Sequence, residues 1–237
     1  MPDPTPKITL YTYFRSSCSA RLRIALAYKS IPYTSIPVNL LKNEQQSSTY
    51  GTVNPSLTVP SLIVEHEHGN GPQQQGTVTI TQSLAALEYL EEKFTSSSSS
   101  FPRLLPRETD IEARAAVRTL ASILACDVQP VTNLRILKRV GALGVDRAEW
   151  SRDLFVEGLA AYEAIASRTA GVFSVGDAIT LADVCLVPAA WGAERVGVDL
   201  GGFPTVKRVV ERLEGEECVK KAHWRTQEDT PQEFRLG

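Results

Sequence analysis

Strand patterns in this chain are confined to its first third, and this asymmetry limits the folds it can adopt. Residues 7–14 are rich in β-branched and aromatic types and partly alternate, which is typical of a strand that ends before Arg15. Further strands are predicted over residues 35–40, 61–65 and 77–81. From about residue 107 onward almost every segment has helical periodicity. The sequence therefore predicts a mixed α/β part followed by an all-helical part.

Two helices are predicted within the α/β part. The first begins near Ser17 or Cys18 and continues to about Tyr28, and Pro32 prevents it from extending much further. The second follows the fourth strand and carries apolar side chains at three- and four-residue spacing, namely Leu84, Leu87, Leu90 and Phe94. The predicted order of elements is β-α-β followed by β-β-α.

The helical part is predicted to form a bundle. Its helices are expected at Glu108–Cys126, Gln129–Val140, Asp146–Ser167, Thr180–Trp191 and Pro204–Leu213. Thr180 and Asp183 have the spacing of a capping box, in which a hydroxyl and a carboxylate satisfy the first-turn amides reciprocally. Pro204 suits the first position of its helix, where no amide hydrogen is needed.

Two polar stretches interrupt the pattern. Residues 66–76 are rich in glycine and glutamine and indicate an elongated hairpin loop, in which His66 and His68 could alternatively hold a stray metal ion. The serine run 96–100 is followed by prolines and cannot bury apolar surface, so it indicates a linker over residues 95–106. The expected domains are residues 1–94 and 107–237.

Charge and cysteine content exclude several classes of function. The formal net charge is only −2, from 25 basic and 27 acidic residues, so no field favours nucleic acid or an anionic membrane. The four cysteines and three histidines have no spacing that makes a zinc site, and free thiols are expected in a reducing compartment. No apolar run approaches the roughly 20 residues of a membrane span, and no signal peptide is recognisable. We therefore expect a cytosolic protein without a bound metal.

The first candidate site lies where the first strand gives way to the first helix. Ser16, Ser17 and Cys18 place two hydroxyls and a thiol at a helix N-terminus, where unpaired amides and the helix dipole favour an anion. Taken alone, the segment is also consistent with serines that only cap the helix and with Cys18 as a buried small apolar residue.

Two further segments could complete a peptide-binding site. Val59 and Pro60 precede an apolar strand, so the Val59 backbone could pair with a peptide-like ligand, and the bond between them could be cis. Gln82 and Ser83 open the next helix and offer side-chain oxygens and amides to a carboxylate, although a simple helix cap is also possible.

Together these segments resemble the glutathione site of a known family. Residues 13–19 read Tyr-Phe-Arg-Ser-Ser-Cys-Ser, and with Val59-Pro60, Gln82-Ser83 and Glu194-Arg195 they resemble the zeta class of cytosolic glutathione transferases, the maleylacetoacetate isomerase family. The resemblance covers nearly the whole chain. It implies an N-terminal thioredoxin-like glutathione-binding domain, an all-α C-terminal helix-bundle domain, and a cytoplasmic homodimer.

The resemblance also implies residue roles. Ser16 would donate a hydrogen bond to the glutathione thiolate, Ser17 and Cys18 would shape the pocket, and Arg195 would bind a substrate carboxylate. The implied glutathione contacts are Ser16, Ser17, Cys18, Ser19, Arg21, Gln46, Val59, Gln82, Ser83, Gln129, Asn133 and Leu134. Gln45 competes with Gln46, and Arg135 stands where relatives have a small hydroxyl residue. Arg15 and Arg21 are second choices for anion contacts.

The reaction implied by the resemblance is the cis-trans isomerisation of maleylacetoacetate to fumarylacetoacetate in tyrosine and phenylalanine breakdown. The thiolate of the cofactor glutathione adds to the double bond, the bond rotates, and the thiolate leaves. Alternatives are a transferase for α-haloacids or other small electrophiles, a maleylpyruvate isomerase, and a non-catalytic scaffold with this fold. Cys18 could alternatively act as the nucleophile or form a mixed disulfide with glutathione.

Overall fold

The computed structural model describes residues 6–65, 76–95 and 100–235, and the chain divides into two compact units. The first unit comprises residues 1–101 together with 221–237, and the second comprises residues 102–220. The C-terminal residues thus group with the α/β part, whereas the sequence pattern placed them in the helical domain. The predicted loop at 66–76 lies outside the described residues except for Gly76, and the serine run at 96–100 lies outside them except for Ser100.

A four-stranded sheet forms the centre of the first unit. Its strands are β1 (Lys7–Thr12), β2 (Thr34–Pro37), β3 (Ser61–Glu65) and β4 (Thr77–Ile80), in the order β2-β1-β3-β4. The β1–β2 pair is parallel, whereas the β1–β3 and β3–β4 pairs are antiparallel. Alternate residues of the two central strands are buried, namely Ile8, Leu10, Leu62 and Val64. The four predicted strands are confirmed, each within a few residues of its expected bounds.

Three helices accompany the sheet: α1 (Ser17–Tyr28), α2 (Ser48–Val53) and α3 (Ser83–Phe94). The predicted helices α1 and α3 are confirmed. A buried ion pair links them, because Lys29 Nζ lies 2.8 Å from Glu91 Oε2 and also donates to Thr95 Oγ1. The sequence pattern missed α2, which has six residues and buries only Tyr50.

The second unit is helical. Its helices are α4 (Ile111–Ser122), α5 (Gln129–Thr132), α6 (Leu134–Ala142), α7 (Arg147–Thr169), α8 (Leu181–Arg195) and α9 (Pro204–Glu214), and α10 (Glu217–Ala222) continues past its end. A π-helical turn over Ile123–Val128 separates α4 from α5. The single helix predicted over 129–140 was wrong. Asn133 is extended there, and its side chain accepts from the Ile136 amide to start a new helix.

The start of α8 confirms the predicted capping box. The Asp183 carboxylate accepts from the Thr180 amide at 2.8 Å and the Thr180 hydroxyl at 2.9 Å, and its other oxygen accepts from the Ser174 amide. Burial raises the pKa of Asp183, although these hydrogen bonds act in the opposite direction. Pro204 occupies the first turn of α9 as expected.

Helix packing in the second unit depends on glycine at two close contacts. A Cβ atom at Gly192 would lie 2.7 Å from the Phe155 ring, so this glycine allows α8 to approach α7. A Cβ atom at Gly158 would overlap the Val128 side chain.

Among the described residues, no helix combines the length and apolar character needed to cross a membrane, and no group of three His, Cys, Asp or Glu side chains could hold a metal ion.

Candidate active site

The turn between β1 and α1 presents the Ser16 hydroxyl. The Ser16 amide donates to the Tyr13 carbonyl at 3.0 Å, and Ser16 Oγ accepts from the Ser19 amide at 3.2 Å as the N-cap of α1. Capping uses a lone pair of the oxygen, so the hydroxyl proton can still be donated to a bound anion. Ser16, Ser17 and Cys18 are all partly exposed.

Arg21 joins this helix start to the start of α3. Its side chain is 1% exposed, and its Nη1 donates to Ser83 Oγ at 3.1 Å and lies 3.8 Å from Cys18 Sγ. The structure thereby brings together two of the three predicted segments. Because Arg21 is buried, it stabilises the site from the interior of the protein, and the nearby Ser19 side chain is also buried.

The loop before β3 holds the Val59 backbone in place. Two donors converge on the Thr58 carbonyl, Tyr50 Oη at 2.6 Å and Asn54 Nδ2 at 2.7 Å. The peptide bond between Val59 and Pro60 is cis. Among the described residues, the main-chain N–H and C=O of Val59 have no hydrogen-bond partner. This arrangement is suited to pairing with an extended peptide.

The N-terminus of α3 provides a site for a carboxylate. Gln82 occupies the N-cap position with an extended backbone and an exposed side chain, and its side chain does not cap the helix. Ser83 is buried and accepts from Arg21. The first amides of α3 are therefore not capped by Gln82 and can interact with an anion.

The two candidate glutamines differ in exposure. Gln46 lies at the end of a 3-10 turn, Glu44–Gln46, and is exposed. Gln45 is partly buried, and its Oε1 is a buried atom without a hydrogen-bond partner in the described structure. Because a buried polar atom without a partner is costly, Gln45 fits a ligand contact better than Gln46 does.

Arg23 supports the thiol turn, defined as residues 13–16, and sequence patterns did not identify it. Its guanidinium donates to Thr12 Oγ1 at 2.9 Å and to the carbonyls of Tyr13 and Phe14 at 3.3 and 3.1 Å. It also donates to the Ala222 carbonyl at 3.2 Å. Burial lowers the pKa of Arg23 to about 10, so the side chain remains charged at neutral pH.

Asp229 was also missed. Its Oδ2 accepts from the Phe14 amide at 2.9 Å, across 215 residues of chain. In the sequence it belongs to a polar stretch near the C-terminus, and no periodicity or motif connects it with residue 14. Only the fold brings the two residues together.

The remaining predicted residues belong to the second unit. Gln129 begins α5, and Leu134 begins α6. The Asn133 side chain caps α6 and donates to the Pro130 carbonyl at 2.6 Å. Arg195, the last residue of α8, is exposed, as is Arg135. The roles of these residues toward glutathione or substrate stay predictions.

Comparison with known proteins identifies the class. The model of the glutathione S-transferase N-terminal domain matches residues 15–93, and the model of the C-terminal domain matches residues 154–217. These ranges lie in the α/β part and the helical part respectively. The fold is that of a glutathione transferase.

Individual relatives narrow the class. The maleylacetoacetate isomerase of Aspergillus fumigatus is 65% identical over 238 aligned residues, covering 100% of this chain and 99% of the relative. A crystal structure of the Anaeromyxobacter dehalogenans maleylacetoacetate isomerase with bound glutathione is 37% identical, with a TM-score of 0.83 over 96% of this chain and 99% of that one. A zeta-class bacterial maleylpyruvate isomerase is 34% identical, with a TM-score of 0.81 over 94% and 100%. The chain belongs to the maleylacetoacetate isomerase family, the zeta class of the glutathione transferases.

Proposed function

We propose that this protein catalyses the glutathione-dependent isomerisation of maleylacetoacetate to fumarylacetoacetate. The observation that carries the proposal is the Ser16 hydroxyl at the start of α1, joined through Arg21 to the start of α3. The high identity to a fungal maleylacetoacetate isomerase supports the choice of reaction.

The residues of the first unit fit the parts of glutathione. The uncapped amides of α3, with Gln82 and Ser83, suit the γ-glutamyl carboxylate, and the unpaired Val59 backbone suits the cysteinyl peptide group. The buried Gln45 amide oxygen is a further candidate to accept a hydrogen bond. When bound, glutathione supplies a thiolate that adds to the cis double bond and leaves again after rotation about the resulting single bond.

Ser16 and the start of α1 stabilise the negative sulfur. A hydrogen bond to a charged group is worth about 1.5–3 kcal/mol, and a helix N-terminus adds about 0.3–1 kcal/mol. Each unit of lowering of a thiol pKa needs about 1.4 kcal/mol. One hydroxyl and one helix N-terminus therefore suffice to lower a thiol pKa by one to two units, from about 8.5 towards neutrality.

Arginines are the proposed contacts for the carboxylates of the substrate, because a guanidinium binds a carboxylate through two hydrogen bonds. Arg195 is the assignment that follows from the family resemblance. Arg15 is exposed directly beside Ser16 in the first unit. Replacement of either by lysine keeps the charge and removes the bidentate geometry, so it separates the two roles of the side chain.

The test is glutathione-dependent turnover of maleylacetoacetate by the wild type and by Ser16→Ala. We expect the variant to lose one to two orders of magnitude in kcat, because the thiolate loses its donor. Ser47→Ala is the matched control. Ser47 Oγ caps α2 by accepting from the Tyr50 amide at 3.2 Å, the same distance as in the Ser16 cap. Equal turnover by Ser16→Ala and wild type would remove Ser16 from the sulfur site.

The same assay distinguishes the neighbouring activities. The zeta-class bacterial relative named maleylpyruvate isomerase makes maleylpyruvate the first alternative substrate to compare. A folded wild type that binds glutathione and turns over neither substrate would favour a transferase for α-haloacids or a scaffold. A homodimer and a cytoplasmic location are further parts of this proposal; sedimentation tests the first, and fractionation of cells tests the second.

A further inference from the structure

The C-terminal segment, defined as residues 223–235, lies against the turn that precedes Ser16. Asp229 Oδ2 accepts the Phe14 amide hydrogen at 2.9 Å, and the Phe14 ring lies 6.5 Å from the rings of both Trp224 and Phe234. The guanidinium of the neighbouring Arg15 lies over the same two rings, at 6.0 and 5.6 Å from their centroids. Polar, aromatic and cation-π contacts thus converge on two consecutive residues.

Internal hydrogen bonds hold the segment in shape. Thr230 Oγ1 donates to the Trp224 carbonyl at 2.6 Å, and the Arg235 guanidinium donates to the carbonyls of Thr230 and Glu228. Arg23 connects the opposite side of the turn to the end of α10, because it binds both the Phe14 and the Ala222 carbonyls. Asp229 thereby binds the amide of Phe14, and Arg23 binds its carbonyl.

We propose that Asp229 is a positioning residue for the thiolate site and acts through the turn at residues 13–16. The Phe14 amide and the Ser16 hydroxyl are two residues apart, and the Ser16 amide is hydrogen-bonded within the same turn to Tyr13. Release of Phe14 allows the turn to rotate, which moves Ser16 Oγ away from the sulfur. An error of about 1 Å in such a position can cost roughly a hundredfold in rate. The inference deepens the proposed function and rests on glutathione binding at this site.

The test compares Asp229→Ala with Asp229→Asn. The asparagine keeps a carbonyl oxygen that can accept from Phe14, whereas the alanine has no acceptor. We measure the pKa of enzyme-bound glutathione from its thiolate absorbance, with kcat and the KM for glutathione. Asp229→Ala should raise the bound thiol pKa by about one unit, which lowers the thiolate fraction by up to about tenfold at a pH below that pKa, and should lower kcat with little change in KM. Asp229→Asn should keep both the bound thiol pKa and kcat close to the wild-type values.

Glu228→Ala is the matched control, because Glu228 is an exposed acidic residue in the same segment. Its main-chain carbonyl accepts from Arg235, and this hydrogen bond remains in the variant. Phe234→Ala provides a second variant in case Asp229→Ala does not fold, since Phe234 is 36% exposed and stacks on Phe14. A lower melting temperature with unchanged thiol pKa and kcat in both variants would reduce the segment to a structural role and overturn the proposal. Failure of the wild type to bind glutathione would instead refute the proposed function itself.

Discussion

The conformation of the loop before β3 depends on single residues that bind the Thr58 carbonyl. Two donors, Tyr50 and Asn54, fix this carbonyl, and the next residue is Val59. The Tyr50 phenol also lies 2.9 Å from Ser61 Oγ at the start of β3. Burial raises the pKa of Tyr50, so the phenol remains a donor throughout the neutral and mildly alkaline range.

Tyr50→Phe should lower the free energy of unfolding by about 1–3 kcal/mol at neutral pH, because the Thr58 carbonyl and the Ser61 hydroxyl lose a buried partner. The sign of the pH dependence follows from the raised pKa. The unfolded phenol ionises near 10, so the contribution of Tyr50 is complete below that pH and declines above it. Urea unfolding of both proteins should therefore show a difference that narrows above pH ~10. A difference that is constant with pH would contradict this account. The affinity of Tyr50→Phe for glutathione should also be lower than that of the wild type, and calorimetry can measure the difference.

The local structure at the candidate site was largely predictable from the sequence. Serine and cysteine at a helix start, Val-Pro before a strand and Gln-Ser before a helix all have local signatures, and each local structure formed where expected. Two supporting residues could not be predicted. Arg23 and Asp229 act through partners distant in sequence, and nothing local distinguishes them from other charged residues. Arg21 was named only through the family resemblance, and its hydrogen bond to Ser83 depends on the fold.

At the scale of elements, α7 packs closely on the π-helical turn at Ile123–Val128. Gly158 of α7 faces Val128, whose Cγ2 occupies the space that a Cβ atom at position 158 would need. Sequence periodicity predicted one continuous helix to Cys126. It did not predict the wider turn, because π-helical turns are rare and occur mostly as single turns inside α-helices.

Gly158→Ala should destabilise the protein by about 1–3 kcal/mol, because one methyl group must displace a packed valine. The variant is otherwise favourable for a helix, since alanine has a higher helix propensity than glycine by about 1 kcal/mol. Chemical unfolding measures the net effect. Gly202→Ala is the control, because a Cβ atom there meets nothing within 4 Å and its backbone is not in the left-handed region. Stabilisation by Gly158→Ala would show that the two segments are less closely packed than described.

For the whole molecule, the main feature is that the first unit is assembled from both ends of the chain. The sequence predicted an α/β part followed by an all-helical part, and this fold class is confirmed. The predicted succession of two domains did not include the return of residues 221–237 to the first unit. Residues 221–237 have few apolar residues and no strong periodicity, so their association with the α/β part could not be predicted. Their contacts with the thiol turn are a few specific hydrogen bonds and ring contacts.

Deletion of residues 223–237 should affect the two units unequally. Hydrogen exchange should accelerate in β1 and α1, because the turn that joins them loses the contacts of Asp229 and Trp224 with Phe14, whereas α7 and α8 should retain their protection. Mass spectrometry of peptides from each unit measures both effects in one sample. Equal loss of protection in both units would indicate that the chain unfolds as one cooperative body.

The discontinuous first unit also determines when the protein can mature during synthesis. A ribosome adds about 5–20 residues per second and releases the N-terminal residues first. The strands, α1 and α3 are therefore available long before Asp229 and Trp224 emerge. A nascent chain that ends before Asp229 lacks the partner of the Phe14 amide. The proposed role of Asp229 therefore implies that the turn at residues 13–16 is completed only after residue 229 has been synthesised.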